Sequence, residues 1–219
     1  MKPHFFALYL TLFLTFADTS AQTVSPQAYS VTVLADVLFN ANGQVASIDI
    51  RDEKQYPQEF LNKVLERLQK AKIPPVIEDG QAKTFRTGVF ATLLITPNDS
   101  GGSVSFKSLR IEPLVLKTYA ASYPKDLVMS PGWEGTVTAS CDVGVDGKCH
   151  AIQLDALPGV PDSARRFVKT SLEGWQFQPQ QVDGKPVPGR ASVVFNMESA
   201  DFAPLDFRIP KFDRILQSR

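Results

Sequence analysis

Residues 33–89 and 137–193 carry one pattern of apolar, turn and proline positions when overlaid at a fixed offset of 104, with no gap. Val33 falls on Val137, Ala35 on Ala139, Val37 on Cys141 and Val45 on Cys149. Ile48 and Ile50 meet Ile152 and Leu154, Pro57 meets Pro161, Val64 meets Val168, and Leu68 meets Leu172. Asn42-Gly43 falls on Asp146-Gly147, Ile73 on Phe177, Pro75 on Pro179, Asp79-Gly80 on Asp183-Gly184, and Val89 on Val193. Agreement of all three position types in one frame marks an internal duplication, so one supersecondary unit is expected twice.

The second copy is the easier to read. Thr136, Thr138, Ser140 and Asp142 alternate with Val137, Ala139, Cys141 and Val143, the period of a strand with one buried face. Asp146-Gly147 tolerates positive φ and reverses the chain into a second strand, Cys149 to Leu154. After Pro161, which suits a first helical turn, Ala164, Phe167, Val168, Ser171, Leu172 and Trp175 recur at helical spacing up to the stop at Gly174. A last strand, Arg190 to Met197, follows with Ala191, Val193, Phe195 and Met197 on one face.

The first copy repeats the plan, with strands Tyr29 to Phe39 and Val45 to Arg51, a helix Pro57 to Lys70, and a last strand Thr87 to Thr96. The expected fold is α+β: two tandem β-β-α-β units, each a small antiparallel sheet under one helix. The strand order is 2-1-3, which leaves strands two and three as edges. Pro97 to Gly102 reads as a linker, and Val104-Ser105-Phe106 and Leu109-Arg110-Ile111 are patterned to extend one of the sheets. The chain then divides into 1–21, 22–96, a linker 97–122, 123–197 and a tail 198–219. Phe202, Leu205, Phe207, Ile209, Phe212, Ile215 and Leu216 make that tail too apolar to stay in water, and it is expected to pack on its own chain.

Lys2 and the apolar run Phe5 to Phe16, ending in small residues, match a secretory signal peptide cleaved after Ala21, with Ala17 as second choice. Asp18 closes the run short of the roughly 20 apolar residues that span a bilayer. Lys plus Arg and Asp plus Glu are 23 each, so no net charge draws the chain to nucleic acid or an anionic membrane. The expectation is an exported, periplasmic protein with no permanent membrane anchor.

Tyr123-Pro124, Gly135-Thr136-Val137, Asp146-Gly147, Phe167, Trp175-Gln176-Phe177-Gln178-Pro179 and Asp183-Gly184-Lys185-Pro186-Val187 resemble the TonB C-terminal domain. The resemblance covers residues 123–197. Residues 29–96 are similar to that family mainly through the offset of 104, with Ala71-Lys72-Ile73-Pro74-Pro75 standing where the second copy has its Trp-x-Phe-x-Pro motif. The resemblance implies a periplasmic domain that binds a protein segment, periplasmic or from the outer membrane, by adding it to a sheet edge. By that analogy the contact surface is Tyr123, Pro124, Arg190, Ser192, Val193, Val194, Phe195 and Asn196. TonB itself carries an anchor and a long Pro-rich spacer. A duplicated relative without them is expected to bind a protein segment in connection with TonB-dependent transport and not to transduce energy. The alternative is a structural role, with the edges paired within the chain or in a homodimer.

No enzyme chemistry is expected. The mature chain keeps one histidine, His150, which follows Cys149 in a strand and so faces the other way, as an exposed residue and not a base. Metal-ligand spacings and phosphate-binding glycine motifs are absent from the sequence, and no cofactor or metal is expected. Trp175, Phe177 and Phe195 read as core. Cys141 and Cys149 lie on the two arms of one hairpin, and an exported pair is normally oxidised, two small buried thiols being the other reading. A two-residue turn at Asp146-Gly147 would pair Gly144 with Cys149, so a bridge requires a longer loop or a bulge.

Overall fold

The structure is a computed structural model that describes residues 27–97, 102–130 and 132–199. The signal-peptide segment, most of the linker core and the apolar tail from residue 200 onward lie outside the described residues. In chain order the elements are β1 (Tyr29–Phe39), β2 (Val45–Ile50), α1 (Gln58–Gln69), β3 (Val76–Glu78), β4 (Gln81–Lys83), β5 (Phe85–Thr96), β6 (Ser103–Glu112) and β7 (Leu114–Lys117). They continue with α2 (Lys125–Val128), β8 (Glu134–Val143), β9 (Cys149–Ala156), α3 (Asp162–Glu173), β10 (Gln176–Gln178), β11 (Gln180–Val182), β12 (Lys185–Val187) and β13 (Gly189–Glu198).

Each repeat places its first strand in the middle. β1 lies between β2 and β5, and β8 lies between β9 and β13, all antiparallel. α1 buries Leu61, Val64 and Leu68 against Val33, Ala35, Val37 and Val89, and α3 buries Ala164, Phe167, Val168 and Leu172 against Val137, Ala139 and Phe195. These are the residues that the helical and strand periods aim inward. The duplication reaches single hydrogen bonds. Ile73 donates its N–H to Gly43 C=O at 2.9 Å, and Phe177 donates to Gly147 C=O at 2.8 Å. Gly43 and Gly147 both have φ +74, and a Cβ on either would collide with the carbonyl oxygen of Ile73 or Phe177.

The α+β expectation is overturned. Strand makes up 52% of the described residues and helix 18%, spread over several separate sheets, so the chain is far richer in β structure than two β-β-α-β units. The difference comes from segments with too few residues for a periodic signal. Val76–Glu78 with Gln81–Lys83, and Gln180–Val182 with Lys185–Val187, are three-residue arms around Asp-Gly turns. Asp79, Gly80, Asp183 and Gly184 all have positive φ, the geometry of a two-residue hairpin. The first of these hairpins forms its own two-stranded sheet, whereas the second joins the sheet of the other repeat through Val182↔Phe85 and Gln181↔Arg86. β7 pairs with β10, a further link between the halves.

The expectation that the third strand of each repeat is an edge also fails in the first sheet. β6, from the interrepeat stretch, pairs along β5 from Thr96↔Ser103 to Gly88↔Glu112. That rim is covered within the chain.

Cys141 and Cys149 are disulfide-bonded, with Cα atoms 5.5 Å apart. Both devices foreseen for the bridge occur together. Val143 pairs with Cys149 and Gly144 N–H bonds Lys148 C=O, which makes the loop longer than a two-residue turn. The ladder then jumps from Asp142↔His150 to Ser140↔Gln153, a bulge at which Ala151 takes φ +48. Eight residues of separation make a short closed loop, and replacing both cysteines by alanine is expected to cost about 2 kcal/mol, read as a lower urea midpoint.

Candidate functional site

β13 bonds β8 along ten residues, from Gly189↔Val143 to Glu198↔Glu134, and among the described residues no strand pairs with its other rim. Successive residues of an antiparallel strand send their N–H and C=O to opposite sides. Ser192 donates its N–H to Glu112 Oε2 at 3.0 Å, away from β8, so Val194 and Asn196 also direct their backbone groups outward. Glu112 is held by Arg110 at 3.2 Å and plugs one end of the rim. At the other end the Tyr123 hydroxyl donates to Glu198 C=O at 3.0 Å. Burial raises the pKa of that hydroxyl, which keeps it a donor. Between the plugs lies a short stretch of backbone, centred on Val194 and Asn196, that no strand among the described residues covers.

The structure sorts the eight residues assigned by analogy. Val194 is 40% exposed and Asn196 is exposed, its side-chain oxygen accepting from Thr136 Oγ1 at 3.0 Å. Arg190 reaches across the open face of the sheet to Ser140 Oγ and Gln153 Oε1 at 3.1 and 2.9 Å. Val193 is half-buried against the core. Phe195 is 0% exposed, packed 5.6 Å from the Trp175 ring, so its side chain offers nothing to a partner. The Tyr123 ring meets Phe167 edge-on at 5.3 Å. Pro124 precedes the short helix α2 and lines a shallow cleft with Ser163 and Thr170. Beside Tyr123, an apolar groove of about 580 Å³ is lined by Tyr119, Ala121, Val128 and the 79% exposed Met129.

A second cluster had no warning in the reading of motifs. Asp36, in the middle of β1, is 6% exposed. Arg86 grips it with Nε and Nη2 at 3.0 and 2.9 Å, and Gln178 donates to it at 2.7 Å while accepting from Arg51 at 3.0 Å. The Asp36 carboxylate holds the Arg86 pKa above its usual value. Gln180 donates to buried Thr87, and Asp183 accepts from Thr84 N–H and Lys83, which pulls the Asp183 pKa below the usual carboxylate value. The Gln180–Thr87 and Asp183–Thr84 bonds flank the pairing of β11 with β5, whereas Gln178 brings β10 to Asp36 and Arg51, so the cluster is the polar seam between the repeats. One signal was present: Leu34 and Leu38 break the polar alternation on the face of β1 that carries Asp36, as a face covered from both sides requires.

His150 lies exposed, 3.4 Å from Asp146. No protein-family model matches the chain, and no curated protein is similar to it in sequence. No helix among the described residues is long and apolar enough to cross a membrane.

Proposed function

We propose that this chain is a non-enzymatic, periplasmic binding module of TonB C-terminal type, which takes up an extended protein segment as an extra strand on the outer rim of β13. The observation that carries this reading is the bare backbone at Val194 and Asn196, bounded by the Glu112 and Tyr123 plugs. An unpaired rim presents a ready ladder of donors and acceptors, and an incoming segment gains affinity from main-chain bonds alone. The disulfide supports an oxidising compartment. In the first sheet the structural alternative has a specific observation behind it, since β6 already occupies β5. Strand uptake is therefore assigned to the second repeat.

Proline at Val194 removes one outward N–H that β8 does not use, which an edge strand tolerates. Proline at Val193 would instead break the ladder to Ala139. Val194→Pro is expected to stay folded by circular dichroism and to weaken capture of a periplasmic or outer-membrane segment by about tenfold or more. Cross-linking from position 192 in periplasmic extract reads the result. Equal capture of the same segment by the folded variant would falsify strand uptake.

A further inference from the structure

Between β7 and α2 the chain runs as a strap along α3 and its C-terminal end, touching it at points one helical turn apart. The Trp175 indole N–H donates to Tyr119 C=O at 2.8 Å, and the Ala121 N–H donates to Ser171 Oγ at 3.0 Å. The Tyr123 ring meets Phe167 at 5.3 Å, and Ser163 Oγ donates to Asp126 Oδ2 at 2.6 Å. The spacing has a simple origin. Four residues of helix rise about 6 Å and two residues of extended chain about 6.6 Å, so Tyr119, Ala121 and Tyr123 meet successive turns.

At the offset of 104, Trp175, Ser171, Phe167 and Ser163 fall on Ala71, Arg67, Lys63 and Glu59. In the first repeat all four of these positions border open space. Arg67 and Ala71 line a cleft of about 400 Å³ together with Phe106 and Leu109 of β6, and Glu59 and Lys63 line a second of about 470 Å³. Val104 of β6 belongs to both, which makes them one trough between α1 and β6. No described residue fills it, and Phe106 and Leu109 stand 37% and 40% exposed. The charge of the seat also changes between the repeats. Arg67 and Lys63 stand where α3 has a serine and a phenylalanine. Lys63 is paired with Glu59 at 3.1 Å, and Glu66, the acid next to Arg67, is taken by Lys70 at 2.7 Å. Exposed Arg67 is left without an ion pair among the described residues.

We propose that this trough is a docking site for an extended segment of another protein, laid antiparallel to α1 as the strap lies on α3. The segment carries a carboxylate opposite Arg67 and apolar side chains against Val104, Phe106 and Leu109. The strap supplies the geometry of the occupant. The unpaired guanidinium supplies its charge, since a carboxylate can accept two parallel bonds from it. The site belongs to the first repeat, whose β5 rim β6 already closes, and it does not depend on strand uptake at β13.

Peptides copied from the strap test the inference. The probe is residues 117–127 with Ala121→Glu, because position 121 lies at Ser171, the counterpart of Arg67. The comparison peptides are the unchanged sequence and Ala121→Lys. In amide NMR spectra of the exported chain, the Ala121→Glu peptide is expected to shift signals of α1 and β6. It should bind about three- to fivefold more tightly than the unchanged peptide. The protein variant Arg67→Glu, checked for folding by circular dichroism, should reverse the order and prefer the Ala121→Lys peptide. Equal affinity for the three peptides, an order that Arg67→Glu leaves as it was, or shifts confined to the second repeat overturns the inference. An already occupied trough overturns it as well. A benzophenone side chain at position 106 reports that case, by cross-linking without peptide to the chain's own terminal segments or to a second copy. Failure here leaves strand uptake at β13 standing, because Val194→Pro reads that rim alone.

Discussion

Phe195→Ala lowers the unfolding free energy by about 3–5 kcal/mol, the range for deleting a fully buried aromatic ring. The side chain is 0% exposed and sits among Trp175, Val137 and Phe167. The site has little freedom to collapse around the void. Trp175 is pinned by its indole N–H, which donates to Tyr119 C=O at 2.8 Å, and Phe177 is held through its own N–H to Gly147. Phe195→Leu keeps most of the volume and should cost less than half as much. Urea unfolding of the two variants checks the order. Phe195→Ala should also lose partner capture, but only in proportion to the fraction unfolded, unlike the folded Val194→Pro. Stability within about 1 kcal/mol of the parent, with capture abolished, would place the ring on the contact surface after all.

That contrast shows how far the sequence carries. Period-two alternation places Phe195 inside and Val194 outside, and the structure agrees in both cases. The offset of 104 identifies equivalent turns down to the bond each glycine accepts. A shared contact surface taken over by analogy does not respect sidedness, which is why Phe195 and Val193 were grouped with Val194. The disulfide was limited by register, and the register depends on a bulge at Ala151 that no local pattern announces. β6 was legible as strand-like, but nothing in its residues says which sheet it joins. The greatest loss concerns Gln178 to Val187. In the first repeat the equivalent hairpin keeps to itself, and in the second it crosses to β5. The two copies share turn chemistry and differ in partner, a choice made by tertiary contacts around Asp36 and not by local propensity.

Those contacts set the remaining large effect. Removing Arg86 leaves the Asp36 carboxylate buried without its cation, and Arg86→Ala is expected to cost about 3 kcal/mol. Asp36→Asn is milder, near 1 kcal/mol, because the amide still accepts from Gln178 and the freed guanidinium, 47% exposed, turns to water. The asymmetry predicts a rescue. With Arg86→Ala in place, adding Asp36→Asn removes the stranded charge and restores part of the lost stability, so the double variant unfolds at a higher urea concentration than Arg86→Ala alone. Simple addition of the two losses would mean that the pair is already solvated and does not hold the repeats together. The position of the pair makes the outcome informative beyond one bond. Arg86 lies opposite Gln181 in the β5–β11 ladder, and Asp36 takes the Gln178 amide from β10. Loosening it releases the hairpin that ties the second repeat to the first sheet, and the loss of stability should appear at once in probes of both cores.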